Sequence, residues 1–318
     1  MLMVFYVVGM GLLLVLLAVL LLNDLPQQPW SASALQKMTG LPVLAQIPRH
    51  YYLGFKGKHF INTVLQSELT LDEMYRIAAA SLRYTSAKQP FVVLVTSSKP
   101  SEGKSSTAVA LALSHAQMGD KILLIDADLR KPSLHDKANL NLQYGLNDYL
   151  MGHLGLSRIT KTFPEQQNVF VITAGNPLNN PVTSLSSPLF AHLLQQARRH
   201  FDVTIIDSPP VSGFADALLL NALVDTCVLV VDVTQVNLEI LRDTVTRLQQ
   251  VRSNEISLLP MKVSPRWPGK KYYQPYRHKV NKRAANQHRK KSLGLDLSRG
   301  MASKPERQKK RRRIICQR

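Results

Sequence analysis

The chain has 318 residues, 45% of them hydrophobic, which suits one sizeable domain with appendages. Its formal net charge of +19 argues against a plain neutral cytosolic enzyme, and its two cysteines exclude a disulfide scaffold and a cysteine-rich zinc site. The charge is unevenly distributed, because residues 253–318 hold 20 of the 40 Lys and Arg but only 3 of the 21 Asp and Glu. The sequence therefore predicts a nearly neutral body followed by a basic tail.

The first segment, residues 1–22, is apolar and carries no charge. As a helix with a rise of 1.5 Å per residue it would be about 33 Å long, enough to cross a bilayer. A signal peptide fits less well because no Lys or Arg precedes the apolar run, and a core helix fits less well still because no face is polar. The positive-inside rule then predicts a single-pass anchor with the body in the cytoplasm.

Beyond this segment the sequence predicts an α/β domain. Residues 23–60, rich in Pro, Gln and Ser, are predicted to be a juxtamembrane connector, and helical spacing of apolar residues predicts a helix over residues 65–84. Continuous apolar runs then alternate with helical patterns, as is typical of a doubly wound, mainly parallel sheet buried on both faces. The predicted strands are Phe91–Thr96, Lys121–Asp126, Asn168–Thr173, Val203–Asp207, Thr226–Asp232 and Ile256–Val263.

A phosphate-binding loop is predicted directly after the first strand. Residues 98–105 fit the P-loop spacing G-x-x-x-x-G-K-[ST], with Ser98 in place of the first glycine. Gly103 lets the main chain approach phosphates, Lys104 can reach the β- and γ-phosphates, and the Ser105 hydroxyl can ligate Mg²⁺. A chance Gly-Lys-Ser is the alternative, but the strand–loop–helix context argues against it. The predicted nucleotide-binding residues are Ser98, Lys99, Pro100, Ser101, Glu102, Gly103, Lys104, Ser105 and Ser106.

Carboxylates end two further predicted strands. Asp126 and Asp128 follow the second strand, and Asp207 ends the fourth, before two prolines. The carboxyl ends of parallel strands form the ligand-binding edge of such sheets, where an Asp can hold Mg²⁺ through water or accept a proton. A single Asp at a strand end is often only a turn or cap residue. Together with the loop, the three aspartates predict a site for a nucleotide and Mg²⁺.

The composition changes after residue 263. Tyr272, Tyr273 and Tyr276 form a cluster, and the polar, basic residues that follow offer too few apolar side chains to offset chain entropy. We therefore expect a folded domain over residues 61–263 and a disordered tail over residues 264–318. Beside a membrane helix such a tail would hold anionic lipid, the alternative being a solvated or non-native extension. Specific nucleic-acid binding is not expected, because aromatic residues are not interleaved with the basic run.

The three motifs resemble those of bacterial tyrosine kinases of the capsular and exopolysaccharide type, which are deviant P-loop ATPases related to MinD and ParA. Residues 98–105 match the Walker A motif, residues 122–130 the Asp-x-Asp-x-Arg Walker A′ motif, and residues 205–209 the Walker B motif. Residues 39–48 resemble the exit from a chain-length-determinant membrane domain, and residues 73–76 resemble the helix that joins subunits into a ring. The chain is accordingly expected to correspond to the cytoplasmic half of a longer two-helix protein, as a split version or as a fragment.

The resemblance implies an autokinase of the bacterial inner membrane that uses ATP and Mg²⁺ and acts with polysaccharide polymerase or export machinery. By this resemblance, Lys104 would bind phosphates, and Asp126 would be the candidate base for the tyrosine hydroxyl. Mg²⁺ would be organised by Ser105, Asp128 and Asp207. The phosphate acceptors, in a neighbouring subunit of the ring, would be Tyr272, Tyr273 and Tyr276.

Two residues depart from the family pattern. Ala79 stands where a further Arg usually supports the ring, and Met261 stands where an Asn usually helps to hold the base. Pro260 lies within the last predicted strand, where proline is expected only at an edge or a bulge. Two alternatives therefore stay open: a MinD/ParA-like ATPase switch without kinase activity, for which Lys99 occupies the signature-lysine position, and a degenerate nonenzymatic regulator of polysaccharide polymerisation.

Overall fold

The computed structural model describes residues 30–49, 69–85, 89–164, 166–176, 180–251 and 255–264, together with part of residues 3–15. The chain divides into two units, Met1–Pro265 and Arg266–Arg318, and the second lies outside the described residues. The predicted tyrosine cluster and nearly all of the basic tail therefore lie outside them, as does most of the predicted membrane segment. Among the residues that the structure describes, no helix is both long enough and apolar enough to span a membrane.

The elements of the first unit follow one another in a mostly alternating order. In chain order they are α1 (Ala32–Thr39), α2 (Leu69–Thr85), β1 (Phe91–Ser97), α3 (Lys104–Gln117), β2 (Ile122–Asp126), α4 (Leu134–Lys137), α5 (Leu146–Leu150), α6 (Leu156–Ile159), β3 (Thr160–Phe163), β4 (Gln166–Ile172), α7 (Pro181–Leu185), α8 (Pro188–His200), β5 (Val203–Asp207), α9 (Asp216–Asn221), β6 (Thr226–Asp232), α10 (Leu238–Val251) and β7 (Glu255–Met261).

The seven strands form one sheet in the order β3-β4-β2-β5-β1-β6-β7. Every neighbouring pair is parallel except β3 and β4, which pair antiparallel at one edge. Every residue of β1, β2, β5 and β6 is buried, because helices cover both faces of the sheet. The predicted α/β class with a mainly parallel sheet is confirmed, and the described part of the predicted helix at residues 65–84 is also present.

Sequence and structure agree on the six predicted strands to within two residues, and β5 and β6 have the predicted bounds. The edge strand β3 was not predicted, because its sequence Thr-Lys-Thr-Phe contains one apolar residue and no apolar run. Cys227 lies in β6 and is buried in the core. Burial raises the pKa of its thiol to about 12, which makes it chemically inert.

Pro260 lies in β7, at the other edge of the sheet, as expected for a proline within a strand. The N–H of Leu258 donates to Pro42, and the carbonyl of Pro260 accepts from the N–H of Ile47. Backbone groups of alternate strand residues point to the same side, so the nitrogen of Pro260 also faces residues 41–49 rather than β6. The proline therefore removes no hydrogen bond from the pairing of β6 with β7.

The segment predicted to be a connector is partly folded onto the body. Helix α1 begins at an N-cap, where the Ser31 hydroxyl accepts from the N–H of Ala34, and its Leu35 is fully buried in the main core. Residues 41–49 then run beside β7, with a parallel bridge between Val43 and Leu258 and Ile47 fully buried. Residues 30–49 of the predicted connector thus belong to the folded unit.

Candidate active site

The loop between β1 and α3 has the geometry of an anion cradle. Gly103 precedes α3 with φ of 98°, a left-handed conformation that glycine adopts without strain, and no side chain caps the first turn of the helix. The first N–H groups of an uncapped helix are free to bind an anion, and the positive end of the helix dipole favours one. Lys104 and Ser105, in this first turn, are buried at the base of the loop. The start of α3 thus offers free N–H groups that could bind an anion.

Lys104 is paired with an aspartate that follows β2, a strand separated from β1 by β5. Its ammonium lies 2.6 Å from the Oδ2 atom of Asp128, and both side chains are nearly enclosed. Burial opposes the charge of Lys104 and is the largest single influence, but the negative charges of Asp207 and Asp128 together raise its pKa. The lysine therefore stays protonated and offers a positive charge to a phosphate.

Asp207 is fully buried, and neither of its carboxylate oxygens has a hydrogen-bond partner. Burial raises the pKa of Asp207 to about 6, and the charge of Lys104 opposes this shift. The Ser105 hydroxyl lies close enough to favour the charged form, but the pair does not meet the geometry of a hydrogen bond. A buried carboxylate that lacks a donor is suited to a cation or an ordered water.

The donor set fits a nucleotide-bound magnesium ion. No group of three His, Cys, Asp or Glu among the described residues forms a metal site by itself. Mg²⁺ commonly keeps several waters and takes its other ligands from one or two carboxylates and the phosphates of its substrate. The free oxygens of Asp207 beside the Ser105 hydroxyl match that requirement without a third carboxylate.

The side chain of Asp126, the residue that the family resemblance makes the candidate base, is enclosed by the protein. It is fully buried, and its oxygens accept from the N–H groups of Asp128, Ser133 and Leu134 at 3.0–3.3 Å. Burial, and next the charge of Asp207, raise its pKa well above the usual range of an aspartate. The carboxylate therefore holds the turn after β2 and the start of α4, and its predicted role as base stays a prediction.

Arg130, at the end of the Walker A′ match, is held rigidly. Its guanidinium donates two hydrogen bonds to the fully buried carboxylate of Asp216, at 2.7 and 3.1 Å. The same guanidinium lies 4.4 Å from the centre of the Phe214 ring. A planar guanidinium fixed in this way can stack on an aromatic ring, which a lysine could not do. Neither Asp216 nor Phe214 was predicted from the sequence.

Glu102 is a buried carboxylate within the phosphate loop itself. It accepts a hydrogen bond of 2.8 Å from the N–H of Lys99, and burial raises its pKa to about 7. Asp232, at the end of β6, faces it and is paired at 2.5 Å with the ammonium of Lys262. The Lys99 ammonium is directed to the carbonyl of Gln235 at 3.3 Å. Glu102 thus ties the beginning of the loop to its end.

The start of α3 and several of the charged side chains described above line a cleft of about 630 Å³. Its walls are residues 100–106 of the loop and helix start and, from other elements, Asp128, Arg130, Lys131, Ser133, Lys137, Pro209, Pro210, Phe214 and Lys262. Ser98, Lys99, Asp126 and Asp207 are not among the lining residues. Sequence reasoning missed the lysines at positions 131, 137 and 262. Lys131 and Lys137 follow a predicted strand and so lie near the ligand-binding edge, whereas Lys262 was placed inside the last predicted strand and in fact follows β7.

The two departures from the family pattern both lie in the interior. Met261 is fully buried, and its sulfur accepts a hydrogen bond of 3.8 Å from the Thr107 hydroxyl. The next residue, Lys262, lines the cleft instead. Ala79 is also fully buried, whereas Arg76 on the same helix is exposed and paired with Asp72. Neither substituted residue presents a side chain at the surface.

The comparisons define the class of this site. A family model described as an AAA domain matches residues 91–260, more than half of the chain. The chain is 38% identical over 160 residues to the tyrosine-protein kinase YwqD of Bacillus subtilis (strain 168), covering 50% of this chain and 67% of that protein. It is 32% identical over 169 residues to the putative tyrosine-protein kinase CapB of Staphylococcus aureus, covering 53% of this chain and 74% of that protein.

A solved structure agrees with these relatives. The kinase domain of the Escherichia coli tyrosine kinase ETK superimposes with a TM-score of 0.67 and 26% identity, covering 75% of this chain and 96% of that domain. The chain belongs to the AAA domain family and, within it, to the bacterial tyrosine-protein kinases. The resemblance and the enzyme class predicted from the sequence are thereby confirmed.

Proposed function

We propose that this chain is a tyrosine autokinase that uses ATP and Mg²⁺ to phosphorylate Tyr272, Tyr273 and Tyr276 of a neighbouring copy. The observation that carries the proposal is the arrangement of Lys104 and Ser105, which line the cleft, and of their acidic neighbours. The buried Lys104 ammonium lies beside Asp128, and the unpartnered carboxylate of Asp207 lies beside the Ser105 hydroxyl. The Lys104 ammonium can bind a phosphate, and the carboxylate oxygens of Asp207 can bind a cation.

Bound Mg²⁺ would neutralise phosphate charge and help to align the transferred group. Ser105 and Asp207 would hold it, with Asp128 near by, and Lys104 would contact the phosphates. The free N–H groups at the start of α3 would bind phosphate oxygens, because no side chain caps that helix. Most of the rate enhancement would come from positioning and charge neutralisation, which these fixed groups supply without rearrangement.

In the transfer, the phenolic oxygen of tyrosine forms a bond to the γ-phosphorus of ATP, and the bond from that phosphorus to the bridging oxygen breaks, leaving ADP. The phenolic proton passes to a carboxylate of the site. The family resemblance implies this role for Asp126, but a base must come within hydrogen-bond reach of its proton. Of the two strand-end carboxylates after β2, Asp128 is the one that lines the cleft.

The test is to incubate the protein with ATP and Mg²⁺ and to locate phosphotyrosine by mass spectrometry. We expect phosphate at positions 272, 273 or 276, absent in Lys104→Ala and retained in Lys121→Ala, a lysine at the opposite end of the sheet. ATP turnover without phosphotyrosine would overturn the proposal in favour of an ATPase switch. Absence of both signals would leave a nonenzymatic regulator.

We also propose that residues 1–22 anchor the chain in the bacterial inner membrane and that the basic tail binds its anionic lipid. Residues 1–22 carry no charge, and the described helical side chains of Met3, Phe5 and Tyr6 are 85%, 73% and 80% exposed. Each basic residue near an anionic surface contributes about 1 kcal/mol. Deleting residues 278–318 should reduce association with phosphatidylserine-containing liposomes, and unchanged association would refute the role of the tail.

The family resemblance supports a role in polysaccharide export and assembly into a ring. We propose that the enzyme acts on polysaccharide chain length or export as part of a homo-oligomeric ring. On α2, Arg76 and Glu73 are exposed enough to meet a neighbour, while Ala79 is buried and would add nothing to that contact. Sedimentation of the detergent-solubilised chain with and without Arg76→Ala would test the ring, which predicts a shift to smaller species in the variant.

A further inference from the structure

One aromatic side chain stands out in the wall of the cleft. Phe214 is 39% exposed, although a phenylalanine in a folded domain is usually more enclosed. It lines the same cleft as Lys104 and Asp128, in a loop between β5 and α9. The other lining residues are prolines, small residues and charged side chains. The ring is thus the one aromatic surface offered by the described walls of this cleft.

The Phe214 ring lies against a guanidinium that is itself held in place. The Arg130 guanidinium lies 4.4 Å from its centre and is itself held by two hydrogen bonds to the buried Asp216. Pro209 and Pro210 stiffen the loop on the same side of the cleft. A ring that is supported in this way can receive a second ring at little cost in conformational entropy.

The chemistry of the cleft suggests the occupant. The phosphate loop and Lys104 fix where the phosphoryl group lies, so an acceptor phenol must enter through the same opening. Aromatic rings pair in offset or edge-to-face geometry with centres 4.5–7 Å apart, and a nearby guanidinium adds attraction to a ring. Lys131 and Lys137 line the same cleft and would favour the negative charge that the phenol acquires with phosphate.

We propose that Phe214, backed by Arg130, is the platform on which the acceptor tyrosine of a second copy of this chain lies during phosphoryl transfer. This inference rests on the proposed function and adds to it the residue that selects an aromatic acceptor. The adenine ring is the other flat group in the reaction, and stacking of adenine on Phe214 is the outcome that would overturn the proposal.

The test separates the enzyme copy from the acceptor copy. The acceptor is the full chain carrying Lys104→Ala, which keeps its tyrosines. The enzyme is the full chain carrying Tyr272→Phe, Tyr273→Phe and Tyr276→Phe. Phosphotyrosine on the acceptor is then measured against acceptor concentration, and the Kd of a fluorescent ATP analogue is measured on the enzyme copy.

With Phe214→Ala in the enzyme copy we expect kcat/KM for the acceptor to fall about threefold to tenfold, the value of one aromatic pair. The loss should appear mainly in KM for the acceptor and should exceed any change in the Kd of the ATP analogue. Phe214→Tyr, which keeps a ring, should restore most of the activity. Phe214→Ala in the acceptor copy should have no effect, and Leu189→Ala, an equally exposed side chain outside the cleft, should leave activity unchanged.

The outcomes distinguish the two proposals. If the parent pair gives no phosphotyrosine, the proposed function and the platform fall together. If the parent pair is active and Phe214→Ala in the enzyme copy matches it, only the platform is wrong. If the variant weakens binding of the ATP analogue by as much as it lowers acceptor kcat/KM, Phe214 holds the nucleotide instead. Thermal unfolding of the variant, compared with the parent, guards against a loss of fold.

Discussion

The ammonium of Lys104 lies 2.6 Å from the Oδ2 atom of Asp128, so the lysine of the phosphate loop is paired with the aspartate that follows β2. Both side chains are at least 90% buried, which makes their pairing stronger than that of a surface ion pair. A phosphate bound in the cleft would place its negative charge beside the ammonium of Lys104. Without the lysine, Asp128 and Asp207 would lose an opposing positive charge.

Substitution Lys104→Met should therefore affect both chemistry and stability. We expect phosphotyrosine formation to be lost and, at pH 8, unfolding to be easier by about 3–5 kcal/mol, the usual cost of leaving buried charge unpaired. At pH 5 the cost should be smaller, because the carboxylates can bind protons instead. Urea unfolding at the two pH values measures this difference, and Lys104→Arg is the control that keeps the charge. An equal cost at both pH values would contradict the explanation.

Substitution Asp207→Asn tests the cation role of the unpartnered carboxylate. Removing a buried negative charge beside the phosphate site should leave binding of ATP in EDTA intact or stronger. The gain in affinity on adding Mg²⁺ should disappear, since the open oxygens that would hold the ion are replaced by an amide. Isothermal titration with and without Mg²⁺ gives both values. Asp202→Asn, at the amino end of β5, is the matched control, and a retained Mg²⁺ effect in Asp207→Asn would disprove the assignment.

Glu102 makes the stability of the body depend on pH. Its pKa is raised to about 7 in the fold, mainly by burial, against about 4.3 in an unfolded chain. The folded state therefore binds more protons between these values, so the cost of its charge is absent below pH 4, grows as pH rises to 7 and is complete above it. Glu102→Gln removes this cost while its amide oxygen still accepts from the N–H of Lys99.

We thus expect Glu102→Gln to unfold at higher urea concentration than the parent at pH 8, by up to about 3 kcal/mol, and to match the parent at pH 4.5. Glu102 faces the charge of Asp232, which is itself paired with Lys262, and both residues are unchanged in the variant. Glu239→Gln, on the surface at the start of α10, serves as the control carboxylate. A gain of equal size at both pH values would show that packing, not charge, is responsible.

Much of this site could be predicted from the sequence because its parts are local. The loop is contiguous, and the aspartates end apolar strands that must be parallel and adjacent to be buried on both faces. The partners of Asp126 could not be predicted, since they depend on how the turn before α4 folds back over it. The Arg130–Asp216 pair joins residues that are 86 positions apart, and no spacing rule predicts such a contact.

The segment before the domain shows how average composition can mislead. Pro, Gln and Ser favour a connector, yet within residues 30–49 the apolar side chains of Leu35, Leu41, Leu44 and Ile47 are buried. Leu35 and Leu41 belong to the main core. Short helices such as α1, with eight residues, are set by tertiary contact more than by propensity. Composition averaged over residues 23–60 therefore concealed a docked helix.

The packing of α1 against the main core contributes to the stability of the folded body. Leu35 of α1 is fully buried in the main core, so Leu35→Ala should destabilise the folded body by about 2–5 kcal/mol. Gln36→Ala on the same helix is the control, because that side chain is exposed and the substitution keeps helix propensity. Urea unfolding followed by tryptophan fluorescence is suitable, because Trp30 directly precedes α1. The backbone N–H of Trp30 donates a hydrogen bond of 3.1 Å to the carbonyl of Val233. If residues 30–49 were only a linker, the two variants would unfold at the same urea concentration as the parent.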